Sequence, residues 1–467
     1  MNHQHHEHQP DRPSRRRARS RWWAAGLAGM TGLALTTVGV AVLPTTDAVA
    51  RTPTSARPGT PTPDRPSADG DRGKHDDGKH DDKGKDDKGR GKKGKKPKGV
   101  PVPCNTDKLI AAITLANARG GAVLDLATKC TYTLTTNIDG AGLPAITTPI
   151  TLNGGKHTTI TRAAAADQFR ILTVNANGRL TLNHLTITGG YVDGTVGGGI
   201  FINTGGAATI NSSRIIRNVA NNGNGGGMYN NGGTLDIGHS VISHNTASDI
   251  GGGIFSVGAV SIDKSQLDGN VSLTGGGITI IGGVEITRSK VVNHRAAEGG
   301  GIFLFSGVIG KIADTRIERN TATVTGGSAI AGAPSQLTMS RVAIANNTAA
   351  GFGAVFLQGG STLIEDSTIR DNTGANGGGI HNRGALTLLR TKVTGNQATE
   401  SGGGISNSAT GTLTLFGTKV VKNVAVTDGG GIFNQAGGTV ELNIASGTFV
   451  VKNRPDNCAG DVPGCAG

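Results

Sequence analysis

A three-glycine motif followed by an aliphatic residue or Met recurs through the C-terminal two-thirds of this 467-residue chain. The eight clean copies begin at Gly197, Gly225, Gly251, Gly275, Gly299, Gly377, Gly402 and Gly429. Degenerate copies at Gly326 and Gly351 keep the spacing, so that successive copies lie 24 to 28 residues apart. A fixed period in this range indicates one supersecondary unit stacked many times. This repeat limits the fold more than any other feature of the chain.

A second motif occupies the other half of each unit: Ser or Thr, any residue, an aliphatic residue, two more residues, then Asn. His294 replaces the Asn in one copy, and the unit around Ser340 to Asn347 is irregular. Aliphatic residues alternate with polar ones before this motif, as in short strands. No helical pattern separates the strands, which excludes βαβ units and argues against leucine-rich and ankyrin arrays. We therefore predict an all-β fold, a parallel β-helix in which like residues stack about 4.8 Å apart.

The recurring asparagines are predicted to form a structural ladder, because stacked side-chain amides can hydrogen-bond from coil to coil. The ladder would comprise Asn218, Asn245, Asn270, Asn320, Asn372, Asn396 and Asn423.

The paired Gly-Gly-x-Ile and hydrophobic-x-x-Asn motifs resemble the repeats of chlamydial polymorphic outer membrane proteins and of the wider group of secreted right-handed β-helix proteins. The resemblance covers roughly residues 173–453 and implies a right-handed parallel β-helix, with adhesion as a suggested role. This chain departs from the pattern in its third Gly and in using Ile or Val more often than Phe before x-x-Asn. Residues 457–467 do not provide the many alternating strands of an autotransporter barrel, so we do not expect outer-membrane display.

Residues 1–50 have the pattern of an export signal, with five arginines before an uncharged stretch and a small-residue site at Ala48-Val49-Ala50. An uncleaved signal anchor is the alternative, because Trp22 to Leu43 is long enough to span a bilayer. Residues 51–99, rich in Pro and Thr and then in Lys, Asp and Gly, predict a disordered tether. We assign 100–172 to an N-terminal cap and first coils, 173–453 to the β-helix repeats and 454–467 to a C-terminal cap.

Four cysteines lie only at the two ends of the predicted folded part. In an oxidising compartment, proximity in sequence favours Cys104–Cys130 and Cys458–Cys465 over the other two pairings. Solenoid ends expose strand edges and need caps. We predict a short capping helix that starts near Asn105 or Thr106 and runs to about Ala118.

Basic residues recur at two positions of the second motif, directly after the hydroxyl residue and directly before Asn. They predict a basic stripe along one outward face, suited to acidic polysaccharides or cell-wall polymers. A solvated edge that resists aggregation is the alternative explanation. The stripe comprises Arg214, Arg217, Lys290, Arg316, Arg319, Lys392, Lys419 and Lys422, with Lys452 as a further member.

No catalytic residues are predicted. The Trp-x-Asp-His and Arg-x-Pro-x-x-Arg blocks typical of pectate lyases are missing from the sequence. Glycosidases need two carboxylates that flank the scissile bond. Asp236 and Glu285 share a row but should lie two coils apart, and adjacent Glu365 and Asp366 should point to opposite faces.

No cofactor is predicted. A Ca²⁺ site is the alternative, because carboxylates recur just before several Gly triplets. The residues concerned are Asp249, Glu298, Glu400 and Asp428.

These observations predict a secreted or cell-surface protein, a monomer, with a non-enzymatic binding or adhesion role and affinity for polyanionic glycans. Nucleic acid is not expected as a partner, because few aromatic side chains are interleaved with the basic residues. Contact with a membrane is expected only through an uncleaved signal. The alternative is a polysaccharide lyase or glycoside hydrolase of the pectate-lyase-like group whose active site is not recognisable.

Overall fold

The structure, a computed structural model, describes residues 99–466. The predicted signal peptide and all of the predicted tether except Gly99 lie outside the described residues. The described part is a parallel β-helix of about 13 turns, as predicted. A typical coil runs through strands Ile200–Ile202, Ala207–Asn211, Arg214–Ile216 and Val219–Asn221.

Three long parallel sheets form the walls of the solenoid, and a typical coil contributes one short strand to each. The 14 strands of sheet 1 are Val100–Val102, Ala122–Leu126, Pro149–Asn153, Arg179–Asn183, Ala207–Asn211, Thr234–Gly238, Ala259–Asp263, Val284–Thr287, Ile309–Ala313, Ser335–Ser340, Gly360–Glu365, Ala385–Leu389, Thr412–Phe416 and Thr439–Asn443. The 13 strands of sheet 2 are Thr131–Leu134, Thr159–Arg162, Thr186–Thr188, Arg214–Ile216, Val241–Ser243, Gln266–Asp268, Lys290–Val292, Arg316–Glu318, Ala343–Ala345, Thr368–Arg370, Lys392–Thr394, Lys419–Val421 and Phe449–Val451. The 12 strands of sheet 3 are Leu172–Val174, Ile200–Ile202, Met228–Asn230, Ile254–Ser256, Ile278–Ile280, Ile302–Leu304, Ile330–Gly332, Val355–Leu357, Ile380–Asn382, Ile405–Asn407, Ile432–Asn434 and Cys458–Ala459.

Two shorter sheets follow sheet 2 along the chain. One contains Tyr191–Asp193, Val219–Asn221 and Thr246–Ala247. The other contains Arg295–Glu298, Thr321–Thr325, Thr348–Ala349, Thr373–Gly374, Gln397–Ala398 and Val424–Ala425. A 3₁₀ turn, Ile444–Ser446, lies near the C-terminal end.

Both ends carry the predicted disulfides. Cys104 is bonded to Cys130 and Cys458 to Cys465, so the favoured pairing is confirmed. The predicted cap helix is also confirmed at Thr106–Ala118, where the Asn105 side chain accepts the Lys108 N–H at 3.0 Å. Its apolar face, which includes Leu109 and Ile113, is fully buried against the first coils and covers the end of the core.

The glycine triplets are required by the closing turn of each coil. The first glycine has a positive φ, for example +68° at Gly225, which residues with a side chain rarely adopt. At the next position there is no space: a Cβ on Gly226 would lie 2.3 Å from the Thr246 carbonyl oxygen. The triplet is therefore part of the scaffold, because one glycine provides the turn and the following one permits close approach of the backbone.

Buried asparagines, with His294 in one coil, form a column on the inner side of the turn after sheet 2. Asn396 shows the pattern: its Oδ1 accepts the Asn372 backbone N–H at 3.1 Å and the Asn372 Nδ2–H at 2.9 Å. Its own Nδ2–H donates to Asn423 Oδ1 at 3.0 Å and to the Ile369 carbonyl at 3.0 Å. Every polar atom of this dry side chain is thereby satisfied, which buried amides require.

The irregular unit around Ser340 to Asn347 turns out to keep the same register. Val342 takes the place of the hydroxyl residue and its N–H donates to Ser367 Oγ at 3.0 Å. Asn347 continues the column, with its Nδ2–H donating to Asn372 Oδ1 at 3.0 Å. The unit is irregular only because an apolar side chain replaces Ser.

We predict that Asn396→Ala lowers the free energy of unfolding by about 2–3 kcal/mol, because the Asn372 amides lose their acceptor inside the core. The matched control is Gln397→Ala, which changes the exposed neighbouring residue and should alter stability by less than about 0.5 kcal/mol. Urea unfolding followed by circular dichroism measures both. Equal effects in the two variants would show that the column does not stabilise the fold.

Candidate functional site

The predicted basic residues lie on the outer face of sheet 2 and on the turn that follows it. Arg214, Lys290 and Lys392 each begin a strand of this sheet, and Arg316 and Lys419 begin others. The second set, Arg217, Arg319, Lys422 and Lys452, follows the strands at positions of positive φ. The strand register divides the basic residues into three groups. Uncharged residues take the first strand position in two coils after Arg214, namely Val241 and Gln266, and in two coils after Arg316, namely Ala343 and Thr368.

The first group borders a shallow cavity of about 330 Å³. Arg214 and Arg217 line it together with His244, Gln266 and Asp268. The Asp268 carboxylate accepts hydrogen bonds from Gln266 Nε2 at 3.2 Å and from Asn293 Nδ2 at 2.7 Å. The cavity thus has charges of both signs.

In the second group, Lys290 and Arg316 are register partners on neighbouring coils. Arg319 lies close to them and is engaged within the protein, since its Nη1 is 3.7 Å from the Glu318 carboxylate and its Nε–H donates to Asn293 Oδ1 at 2.9 Å. Part of the positive charge of this group is therefore compensated locally.

The third group has one sign of charge, and we call its four members, Lys392, Lys419, Lys422 and Lys452, the lysine patch. Lys392 and Lys419 are register partners, so their Cα atoms lie about 5 Å apart. The Lys419 Nζ lies 5.5 Å from the centre of the Phe449 ring, which is 40% exposed. No ion pair involves the lysine patch within residues 99–466.

A different charge pattern occupies the corner between sheets 1 and 2. Here acidic and basic residues alternate from coil to coil and form three close ion pairs. Arg341 binds Asp314 through Nε at 2.6 Å and Nη2 at 2.9 Å, and Arg390 binds Asp366 with the same two distances. We call the six residues the charge ladder: Asp263, Arg288, Asp314, Arg341, Asp366 and Arg390.

The charge ladder was not anticipated from the sequence, although a signal exists. Five of its members directly precede the hydroxyl residue of the second motif or its Val342 replacement, and their signs alternate along the chain. Hydrogen bonds from the arginines hold the pKa of Asp263, Asp314 and Asp366 below the usual value for a carboxyl. Because the ladder is paired internally, it presents little net charge to a ligand.

The structure also locates the carboxylates considered for catalysis. Asp236 and Glu285 share a row with Ser261 between them, as expected, and the Glu285 carboxylate is paired with Lys311 Nζ at 2.9 Å. The expectation for Glu365 and Asp366 is wrong, because both side chains approach Arg390, at 3.8 Å and 2.6 Å. The reason is that Asp366 lies past the strand end with φ of +49°, which turns its side chain toward that of Glu365.

The four carboxylates considered for Ca²⁺ are dispersed. Burial raises the pKa of half-buried Glu298, and Glu400 accepts a short hydrogen bond from Asn376. Within residues 99–466, no group of three or more His, Cys, Asp or Glu side chains is arranged to hold a metal ion.

One titratable ring lies inside the asparagine column. His294 Nδ1 accepts the Asn270 backbone N–H at 3.0 Å, and the His294 backbone N–H donates to Asn320 Oδ1 at 3.0 Å. The imidazole Nε2 is buried without a hydrogen bond to any described residue. Burial lowers the pKa of His294 from 6.5 to about 4, against the opposing effect of the Asp268 charge.

The comparisons with known proteins agree with this geometry. Residues 276–449 match the family model described as "Right handed beta helix region". The fold is a right-handed parallel β-helix. No curated protein and no solved structure matches the chain significantly. Among the described residues, no helix is long and apolar enough to cross a membrane.

We predict that acidification destabilises the β-helix through His294. Its folded pKa of about 4 lies below the ordinary histidine value of 6.5, so this contribution to stability is complete above pH 6.5 and is lost as the pH falls toward 4. The loss should reach about 3 kcal/mol near pH 4. In His294→Asn this pH dependence should disappear, and the column of amides should become continuous.

The matched control is His239→Asn at an exposed position, which should leave the pH dependence unchanged. Urea unfolding of the three proteins between pH 7 and pH 4 measures the effect. Parallel curves for the wild type and His294→Asn would contradict the assignment.

Proposed function

We propose that this protein is a non-enzymatic, exported β-helix that binds polyanionic glycans, with the lysine patch as its binding surface. The observation that carries the proposal is the stacking of like charges at Lys392 and Lys419, with Lys422 and Lys452 at the adjoining turn. Like charges on directly neighbouring strands destabilise a sheet. A bound polymer with regularly spaced negative charges would neutralise them, and counterion release would favour its binding.

The charge ladder supports this interpretation by contrast. On that corner the same scaffold alternates Arg and Asp, and each ion pair is closed between successive coils. Stacked positions in this scaffold can therefore carry opposite charges that compensate each other, and the lysine patch lacks such compensation. The exposed Phe449 ring beside Lys419 adds an apolar surface on which a sugar ring could lie.

An extracellular or cell-surface location fits the covalent structure. Both disulfides are of the kind that persists in oxidising compartments. Together with the signal-like residues 1–50, they favour export. We propose that the β-helix acts as a monomer and contributes to adhesion by holding an acidic polysaccharide or cell-wall polymer.

We predict that replacing Lys392, Lys419 and Lys422 by Ser weakens binding to polygalacturonate at low salt by at least about tenfold, as expected for loss of three cationic contacts. The slope of log affinity against log salt should also become shallower. Immobilised polygalacturonate with a salt titration measures both quantities. The control removes the same number of positive charges from the charge ladder, through Arg288→Ser, Arg341→Ser and Arg390→Ser, and should retain most of the affinity.

Equal losses in the two triple variants would indicate a response to net charge alone and would refute the lysine patch as a binding surface. Absence of any wild-type retention at low salt would refute polyanion binding altogether.

The enzymatic alternative is tested separately. Incubation of the protein with polygalacturonate, alginate and hyaluronan should release no unsaturated or reducing ends. The row of Asp236 and Glu285 supports this expectation, because the two residues lie two strand spacings apart, about 10 Å, beyond the usual distance even for an inverting pair. Clear turnover of any of the three polymers would overturn the non-enzymatic proposal.

A further inference from the structure

Arg170 occupies a position where most of the later coils carry glycine. It lies two residues before Leu172, whose strand partner is Ile200, so its equivalent in the next coil is Gly198. At Gly198 a Cβ would lie 2.3 Å from the Val219 carbonyl oxygen. The first coil of sheet 3 thus places a long cationic side chain where most coils have no side chain; Ser328 and Asp456 are the other exceptions.

Arg170 is 9% exposed, and no ion pair within residues 99–466 joins it to a carboxylate. Its guanidinium lies over the Phe201 ring, with 5.0 Å from Cζ to the ring centre. Nη2 donates to Thr195 Oγ1 at 3.2 Å, and Nε has no acceptor. Burial is the cause that lowers the Arg170 pKa, which agrees with the absence of a neighbouring negative charge. A buried charge is normally paired, so this arginine is an exception that calls for an explanation.

A second unsatisfied polar atom lies close by. Thr173 is the register partner of Phe201, and its Oγ1 is buried without a hydrogen bond to any described residue. The ring of Tyr229 follows Phe201 on the next coil, with 5.6 Å between ring centres, and its hydroxyl also makes no hydrogen bond to a described residue. Unpaired polar groups and an aromatic face therefore meet at one place on the outer side of sheet 3.

We propose that Arg170 anchors a discrete site for a sugar carboxylate, the acidic group of a uronate. A planar carboxylate accepts from Nε and Nη2 of one guanidinium together, which a single hydroxyl does not. Thr195, on the exposed loop after Tyr191–Asp193, holds one of these two donors. The incoming carboxylate takes its place, satisfies the orphaned Nε–H and supplies the missing negative charge, while the sugar ring lies toward Phe201 and Tyr229.

This site goes beyond the lysine patch and does not depend on it. It recognises one carboxylate in a largely dry setting, so its binding should be saturable and only weakly sensitive to salt, since buried charges are screened less than exposed ones. The lysine patch needs a polymer and low salt. The two surfaces can therefore be tested independently in the same protein.

The experiment is calorimetric titration of the full chain with galacturonate, with galactose and galactose 6-sulfate as comparison ligands. We expect saturable binding of galacturonate that persists at high salt, and much weaker binding of the two other sugars. Arg170→Lys keeps the charge but loses the planar fork, so it should weaken galacturonate binding at least about tenfold. The triple lysine-patch variant should bind galacturonate as the wild type does.

Thr195→Val tests the geometry with a change at an exposed residue, which keeps the fold even if Arg170→Lys does not. Loss of the competing hydroxyl should tighten galacturonate binding several-fold. The proposal is overturned if galacturonate does not bind, if galactose 6-sulfate binds equally well, or if Thr195→Val leaves the affinity unchanged. Polygalacturonate retention that requires the lysine patch would still stand in that case, so failure of this site and failure of the proposed function are distinguishable.

Discussion

The structure depends on one constraint: each strand residue stacks on its equivalent in the next coil, and the two backbones hydrogen-bond as parallel strands. The asparagine column shows what this constraint allows, because an amide can donate upward and accept downward at the same time. A glycine-based turn, an inward Ile and a buried Asn each suit a position that repeats along the whole solenoid. Any property placed at such a position is repeated at intervals of about 4.8 Å.

The same constraint governs the charges. Equivalent positions face each other at close distance, so a charged position must alternate in sign, be interrupted, or repel. The charge ladder alternates, and the first two groups of basic residues are interrupted or compensated by Asp268 and Glu318. The charges of the lysine patch neither alternate in sign nor are interrupted or compensated within residues 99–466. That difference within one molecule is the physical basis for proposing the patch as a binding surface and the ladder as part of the scaffold.

Departures from the repeat mark the remaining places of interest. His294 replaces an amide by a ring that leaves Nε2 unsatisfied, and Arg170 replaces a glycine by a buried cation. Both carry a cost that a regular repeat avoids. His294 keeps the column's backbone hydrogen bond through Nδ1, whereas the surroundings of Arg170 are complementary to a carboxylate. Fold alone assigns no activity to a β-helix, so these local exceptions and the outward rows must carry the functional argument.

The sequence by itself determined the fold class, the period, the cap helix and both disulfides, because these follow from local patterns that recur or from cysteines close in sequence. It also predicted the basic positions that the structure places on the strands of sheet 2 and on the turn that follows. It could not determine that the stripe is divided, since Val241 and Ala343 interrupt it only when strands are placed in register. Three further features depend on residues that are about one coil or more apart in sequence. They are the ion pairs of Arg390, the burial of Arg170 and the lack of ion pairs in the lysine patch. Only the tertiary structure decided these contacts, because coils of unequal length must be aligned in space before it is known which side chains meet.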